Sequence, residues 1–292
     1  MEFIILDNEW NTTYRKINGK CFNELIEIGA VKLDENLNEI SRFSVLIRST
    51  FTKKLSSRFQ RLTNITTEEM KEKGMSFLEA VNLYSDWAGE DAVTLTWSNS
   101  DLYVLLENFR LRFGIDTVPF IGKYIDLQKY AQSEMILAGS KITSQISVAN
   151  AAIMLGIPID GIGLHRALDD SILSAECFKK VYNQSAFNEF VKNCDRDFYG
   201  RLLFHPYVIK SRNDPLIDSA QFNCFCDICG GKVETVKKWK FMNQSFRGIF
   251  YCKHCDREFK VSLRFKKFYD YIDIKRSYSE VIHSKENDKI SE

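Results

Sequence analysis

An α/β chain, with a mixed sheet flanked by helices and a small cysteine-paired module after it, is predicted by three observations. The first 180 or so residues begin with three short apolar strands and then alternate helical with extended patterns, the order expected of a sheet with helices packed on its faces. Two C-x-x-C pairs, at Cys226 and Cys229 and at Cys252 and Cys255, fall close together near the other end. At 292 residues the chain also exceeds what one hydrophobic core usually organises, so a medium domain plus a smaller one is the expected division.

Phe3 to Leu6 is a compact apolar strand, Leu25 to Leu33 a second that partly alternates, and Ile40 to Ile47 a third. Residues 34–38, rich in Asp and Asn, are short enough to join the second and third as an antiparallel hairpin. A helix start follows at Thr66 or Thr67, and Phe77 to Ala88 carries apolar residues at helical spacing. Val93 to Trp97 reads as a buried strand, Ser98 to Ser100 as a cap region, and Asp101 to Phe113 as a helix with Leu102, Leu105, Leu106 and Phe109 on one face. Phe120 to Ile125 is extended and Asp126 opens another helix; Val148 to Leu155 is a helix stopped by Gly156, with Pro158 beyond. Asp169 or Asp170 begins a helix running towards Tyr182. The expected division is 1–184 as the main domain, 185–220 as connector with a helix near Phe187 to Val191, 221–270 as the cysteine module and 271–292 as a polar tail.

Composition narrows the class. Apolar residues make up 45% of the chain, enough for a substantial core, but no run approaches the roughly 18 to 20 needed for a membrane helix. The N-terminus has no basic region ahead of its apolar stretch and carries early carboxylates, so a soluble, cytoplasmic protein is expected, with no membrane partner. Net charge is only +1, yet Lys232 to Lys267 holds eleven Lys or Arg against three carboxylates, which describes a basic module attached to an acidic one. Cysteines clustered in pairs in such a chain favour metal over disulfides; Cys21, Cys177 and Cys194 read as ordinary buried thiols.

Asp7 and Glu9 stand two apart at the end of a strand and so point the same way. Two hard oxygen donors side by side repel unless a cation sits between them, and phosphodiester hydrolysis has a use for such a cation. A solvated strand end is the plainer account of the pair alone. Asp101 opens a helix directly after a buried strand, where ligands gather in α/β sheets, although a helix-dipole role would place an acid there too and Asp126 has an equivalent setting. His165 lies on a Gly-rich approach, Gly161-Ile162-Gly163-Leu164, ahead of the helix that carries Asp169 and Asp170; an imidazole there can accept a proton near neutral pH or simply cap the helix.

Taken in order, these segments resemble the DnaQ-like, or DEDDh, 3′→5′ exonuclease superfamily. Asp7 and Glu9 match its first motif, Trp97-Ser98-Asn99-Ser100-Asp101 its second, and His165 with Asp170 its third. Leu25 to Val31 and Leu62-Thr63-Asn64-Ile65-Thr66 resemble supporting stretches, and the likeness, running to about residue 183, looks closest to the Eri-like and KapD-like branch. The resemblance implies an RNase H-like mixed sheet with flanking helices and an active site holding two Mg²⁺ or Mn²⁺. It further implies that Asp7, Glu9 and Asp170 hold one ion, that Asp7 with Asp101 serves the other, and that His165 is the general base. The five-residue offset from His165 selects Asp170 over Asp169. Trp10, Asn11 and Ile65 would lie near the terminal nucleotide. Trp10 stands where Thr or Ala is more usual and Asn64 where Gly is common; Asn tolerates the left-handed backbone that such a turn needs.

The four cysteines Cys226, Cys229, Cys252 and Cys255 suit one closed tetrahedral Zn²⁺ in a zinc ribbon, with a 22-residue separation slightly above the usual 15 to 20 or so. Trp239 and Lys240 lead a set of aromatic and basic side chains around the pairs that suits single-stranded nucleic acid, RNA more than DNA, while a protein partner is the competing use of the same surface. The expected activity is a metal-dependent 3′→5′ exonuclease releasing nucleoside 5′-monophosphates. A DNA exonuclease, and a non-catalytic binding regulator that uses the ribbon, are the alternatives.

Overall fold

The computed structural model describes residues 1–15, 19–159 and 165–281. The Gly161 to Leu164 approach and the last residues of the expected tail lie outside the described residues. The chain divides into two units, Met1–Leu203 and Phe204–Glu292.

In the first unit β1 (Phe3–Arg15), β2 (Lys20–Leu33) and β3 (Glu39–Leu46) form an antiparallel meander. Then come α1 (Ser57–Thr63), α2 (Thr67–Lys73), α3 (Phe77–Ala88), β4 (Val93–Thr96), α4 (Ser100–Phe113), β5 (Lys123–Asp126) and α5 (Leu127–Leu137). The unit ends with α6 (Val148–Met154), α7 (Ala167–Val181), α8 (Gln184–Phe190), β6 (Lys192–Asn193) and α9 (Arg196–Leu203). The sheet order is β3-β2-β1-β4-β5-β6, with β1, β4 and β5 parallel.

Strand alternation assigns the two faces. Ile4 and Leu6 of β1 enter the core built with α3, α4 and α9, while Phe3 and Ile5 enter the core built with α5, α6, α7 and α8. Helix starts follow local chemistry: Ser76 and Glu79 form a reciprocal capping box at α3, and the Ser56, Thr66 and Ser147 hydroxyls accept N–H groups of α1, α2 and α6. Asn64 takes φ 58° at the end of α1, the left-handed turn expected of it.

The second unit contains β7 (Tyr207–Val208), a 3₁₀ turn at Ser219–Phe222, β8 (Glu234–Met242), β9 (Ser245–Cys252), β10 (Arg257–Lys267) and β11 (Ile272–Glu280). The last four form an antiparallel sheet in the order β11-β10-β9-β8, and β7 pairs with β10.

The boundaries differ from the sequence expectation at two places. Residues 185–203 are not connector: Phe187 and Tyr199 are almost wholly buried, and the Tyr199 hydroxyl donates to the Val118 and Ile121 carbonyls, so α8 and α9 complete the first unit. Residues 272–280 are not a polar tail: β11 pairs along β10 from Phe259 opposite Glu280 to Lys267 opposite Ile272. An edge strand with one face open needs little apolar content, which is why its polarity read as tail. No helix among the described residues is long and apolar enough to cross a membrane.

Candidate active site and metal centre

β1 is longer than its apolar start, and its length builds the site. Its parallel pairing with β4 covers only Phe3, Ile4 and Ile5, so beyond Leu6 that side of the strand loses its neighbour. Asp7 and Glu9 therefore sit mid-strand at the mouth of a cleft rather than at a strand end. They keep the parity of Phe3 and Ile5, the face on which α7 packs, and α7 supplies Asp170. One carboxylate oxygen from each of Asp7, Glu9 and Asp170 lies within 4.8 Å of the others.

Asn8 points the opposite way and ties in Asp101 from α4. Its backbone N–H donates to Asp101 Oδ1 at 3.0 Å and its side-chain amide donates to the Asp101 carbonyl at 3.1 Å. Asp101 is buried and lines the same cleft, of about 740 Å³, as the other three acids. Two competing acids fall elsewhere: Asp126 caps α5 and pairs with Lys129, and Asp169 does not line the cleft.

Crowding shows in the protonation of the acids. Burial and then Asp101, Asp170, Glu9 and Glu27 hold the Asp7 carboxyl well above the usual range; the side chain reaches the cleft surface but lies deep among protein atoms. Burial, followed by Asp170, Glu27 and Asp101, pushes Glu9 up to about 8. Asp101 is pushed up to about 7 by burial against the opposing pull of the Asn8 N–H, and burial raises Asp170 despite the His165 N–H it accepts. Four acids that resist ionising together are the donor set of a site for hard cations, so the residues fit the expected Mg²⁺ or Mn²⁺.

His165 is exposed, at φ 74°, and its backbone N–H donates to Asp170 Oδ2 at 3.0 Å. Ser98, in the segment before Asp101, is also left-handed at φ 85°, so two non-glycine residues in unfavourable backbone regions flank the acids.

Three contributors were not singled out from the sequence. Glu27 faces Glu9 across β1 and β2, a like-charge pair that Arg166 relieves. Its carboxylate accepts from the Arg166 guanidinium at 3.1 Å and from the Ala167 N–H at 3.0 Å. Gly29 allows α7 to start against β2, since a Cβ there would lie 2.1 Å from the Ala167 carbonyl carbon, and the Ser171 hydroxyl donates to the Gly29 carbonyl. A glycine and an acid in the middle of an otherwise apolar strand are the signal that could have found them.

Of the expected nucleotide contacts, Trp10 lines the cleft next to the bulge between Glu9 and Trp10. Asn11 and Ile65 do not line it. Asn11 is buried, accepting the Ser56 N–H, and Ile65 is packed with Phe59 and Met70. Arg58, Phe59 and Leu62 line it instead.

In the second unit Cys226, Cys229, Cys252 and Cys255 bring four sulfurs within 4.8 Å of one another, with 3.8 Å between Cys226 and Cys255 Sγ and 3.5 Å between Cys229 and Cys252 Sγ. Four thiols so placed fit a tetrahedral Zn²⁺. Trp239 is half-buried between the two small cores of this unit, its indole N–H donating to the Phe222 carbonyl, whereas Lys240 is exposed.

The family model RNase_T, described as Exonuclease, matches residues 2–178. Among solved structures, cell-death related nuclease 4 (CRN-4) is similar with a TM-score of 0.53 at 20% identity, covering 66% of this chain and 65% of that one. This chain thus spans just under two thirds of that nuclease. The nuclease domain of 3′hExo, a DEDDh family member, is similar with a TM-score of 0.52 at 22% identity over 61% of this chain and 90% of that one. E. coli Exonuclease I is similar with a TM-score of 0.51 at 15% identity over 85% of this chain and 54% of that one. No curated protein matches the chain. With its mixed sheet and flanking helices matching over residues 2–178, the chain belongs to the RNase_T exonuclease family.

Proposed function

We propose that the chain is a metal-dependent 3′→5′ exonuclease acting on single-stranded nucleic acid, RNA preferred, and releasing nucleoside 5′-monophosphates. The convergence of Asp7, Glu9 and Asp170 within 4.8 Å in a cleft that also contains Asp101 carries this reading. Asp7, Glu9 and Asp170 would hold one Mg²⁺ or Mn²⁺, and Asp7 with Asp101 the second. When bound, such ions supply Lewis acidity at the phosphoryl group and charge compensation at the leaving oxygen. His165 takes the proton of the attacking water, and its left-handed backbone keeps it at the mouth of α7 while its own N–H orients Asp170. Trp10 offers a ring to the terminal base; Asn11 and Ile65 act indirectly, by fixing the segment that carries Phe59 and Leu62.

RNA preference is supported by the resemblance to the Eri-like branch and by two similar structures, a 3′hExo nuclease domain bound to rAMP and a 3′-exonuclease recognising a histone mRNA stem-loop. DNA is the second reading, favoured by the Exonuclease I structure, whose partner is a dA16 oligonucleotide and whose likeness extends over 85% of this chain. Zn²⁺ would be held by Cys226, Cys229, Cys252 and Cys255, with Lys240 on the substrate backbone. Cysteines gathered in pairs as a metal site accord with work in the cytoplasm.

Incubation of 5′-labelled RNA and DNA oligonucleotides with Mg²⁺ or Mn²⁺ should give stepwise shortening from the 3′ end, faster for RNA. Asp7→Ala should slow it on the order of a thousandfold or more. Absence of metal-dependent shortening, or equal rates for Asp7→Ala and the unaltered chain, would refute the reading. Faster digestion of DNA would transfer it to the second substrate.

A further inference from the structure

The second unit contains a cleft of about 540 Å³ beside the first cysteine knuckle, a size in the range of small-ligand sites. Its floor is aromatic: Phe222, Trp239 and Phe250 pack edge-on or tilted against one another, with ring centroids 5.2 to 5.6 Å apart for the two pairs that Trp239 makes. Its rim carries Arg212, Lys232 and Lys238, and no carboxylate lines it among the described residues. None of these three cations belongs to an ion pair among the described residues, whereas Lys253, Arg257 and Arg264 of the same unit are paired with Glu234, Asp227 and Asp273. Unpaired cations clustered over apolar rings attract an anion that also has a flat apolar face.

The rim also holds one ring for such a face. Phe225 is 48% exposed and forms a β-bridge with Lys232 across the knuckle, so the ring and the ammonium stand side by side at a place that the cysteine ligands fix. Trp239 cannot serve in the same way, because it is half-buried and its N–H is committed to Phe222. Arg212 lies with its guanidinium 4.6 Å over the Phe222 ring, which presents its charge to the cleft.

We propose that this cleft binds one nucleotide of a single-stranded nucleic acid, with the base stacked on Phe225 and the phosphate among Arg212, Lys232 and Lys238. The assignment rests on the substrate class proposed above and adds to it a second nucleotide site, separate from the acidic cleft and built by the zinc module.

The test measures binding by the full-length chain, in an Asp7→Ala background that keeps substrate intact, to a labelled single-stranded RNA and DNA 12-mer across a salt series, with zinc content determined for each variant. Phe225→Ala should weaken binding roughly 5-fold or more while Phe225→Trp retains it. Lys232→Gln with Lys238→Gln should lower the slope of log K against log salt by up to about 0.7, the value for one phosphate contact on a single strand. Should the Phe225 variants lose zinc, Arg212→Gln, outside the first cysteine pair, must by itself weaken binding and lower the slope by some part of that roughly 0.7. Unchanged affinity and slopes in zinc-replete variants overturn the site. So does a polyglutamate competitor that displaces the oligonucleotide equally well from Phe225→Ala and Phe225→Trp, since that pattern describes an acidic-polypeptide surface. The two proposals fail separately: variants without effect on binding leave metal-dependent hydrolysis standing, and weakened binding in variants of a chain that hydrolyses nothing leaves the cleft standing.

Discussion

The two units each gather four side chains of the metal-ligand type, but these stand in opposite relation to the protein around them. In the first unit the acids are carried on β1, α4 and α7 between two large cores, and those cores hold the carboxylates together against their repulsion. In the second unit the cysteines proposed as ligands are themselves core: Cys226 and Cys252 are two of the five buried residues in one of its two small clusters. A large core can tolerate a strained, ion-binding constellation, whereas a small one must use its metal in place of apolar surface.

Removing zinc separates the two cases most sharply. The proposed zinc would contribute on the order of 10 kcal/mol if it acts as structural zinc does in zinc-finger peptides. Chelation, or Cys252→Ser, should therefore open residues 204–281 to trypsin while residues 1–203 stay resistant; exchanging away Mg²⁺ or Mn²⁺ should open neither. Fragment masses from limited proteolysis decide the matter. A zinc-free chain that stays resistant throughout would break the contrast.

Within the first unit, the join between β2 and α7 should be the next most sensitive place. Gly29→Ala puts a Cβ 2.1 Å from backbone that cannot move without shifting the start of α7, and overpacking of this kind costs about 1 to 3 kcal/mol. Arg166→Ala leaves Glu27 buried without its cation, a loss of the order of 3 kcal/mol, lessened because the guanidinium is one-third exposed. Thermal unfolding should show both losses, and each variant should lose more activity than stability because Asp170 and His165 ride on the displaced turn. Wild-type turnover in a destabilised Gly29→Ala chain would show that the join is structural only.

The sequence made the chemistry more legible than the architecture that delivers it. Asp7, Glu9, Asp101 and Asp170 could be singled out because each sits in a short motif and the resemblance to the DEDDh exonucleases joins those motifs into one site, while strand parity gives the shared face of the first two. That β1 runs to Arg15 was not visible, since beyond Leu6 the strand turns polar and is held by backbone pairing to β2 rather than by apolar content. Nor could the burial of Asn11 and Ile65 be read, because both are fixed by the return of the 55–65 segment onto β1, a contact between distant parts of the chain. Trp239 looked like a stacking platform because aromatic residues amid lysines read the same whether they face solvent or a small core.

The last prediction concerns pH, and its sign follows from the crowded acids. Glu9 titrates at about 8 and Asp101 at about 7 in the folded chain, with Asp7 and Asp170 also raised, against roughly 4 for unfolded carboxyls. A carboxyl with a folded value above its unfolded one leaves the folded state holding more protons, so stability falls as pH rises between the two values. Zinc-replete protein dialysed free of Mg²⁺ and Mn²⁺ should thus lose thermal stability from about pH 4 to about pH 8. Glu9→Gln should flatten that fall by removing one of its sources. Adding Mg²⁺ should raise the melting temperature more at pH 8, where the acids are being forced to ionise together, than at pH 5, where protons already relieve them. Equal increments at both values would mean that the acids are not held against their repulsion, and the difference drawn between the two units would lose its basis.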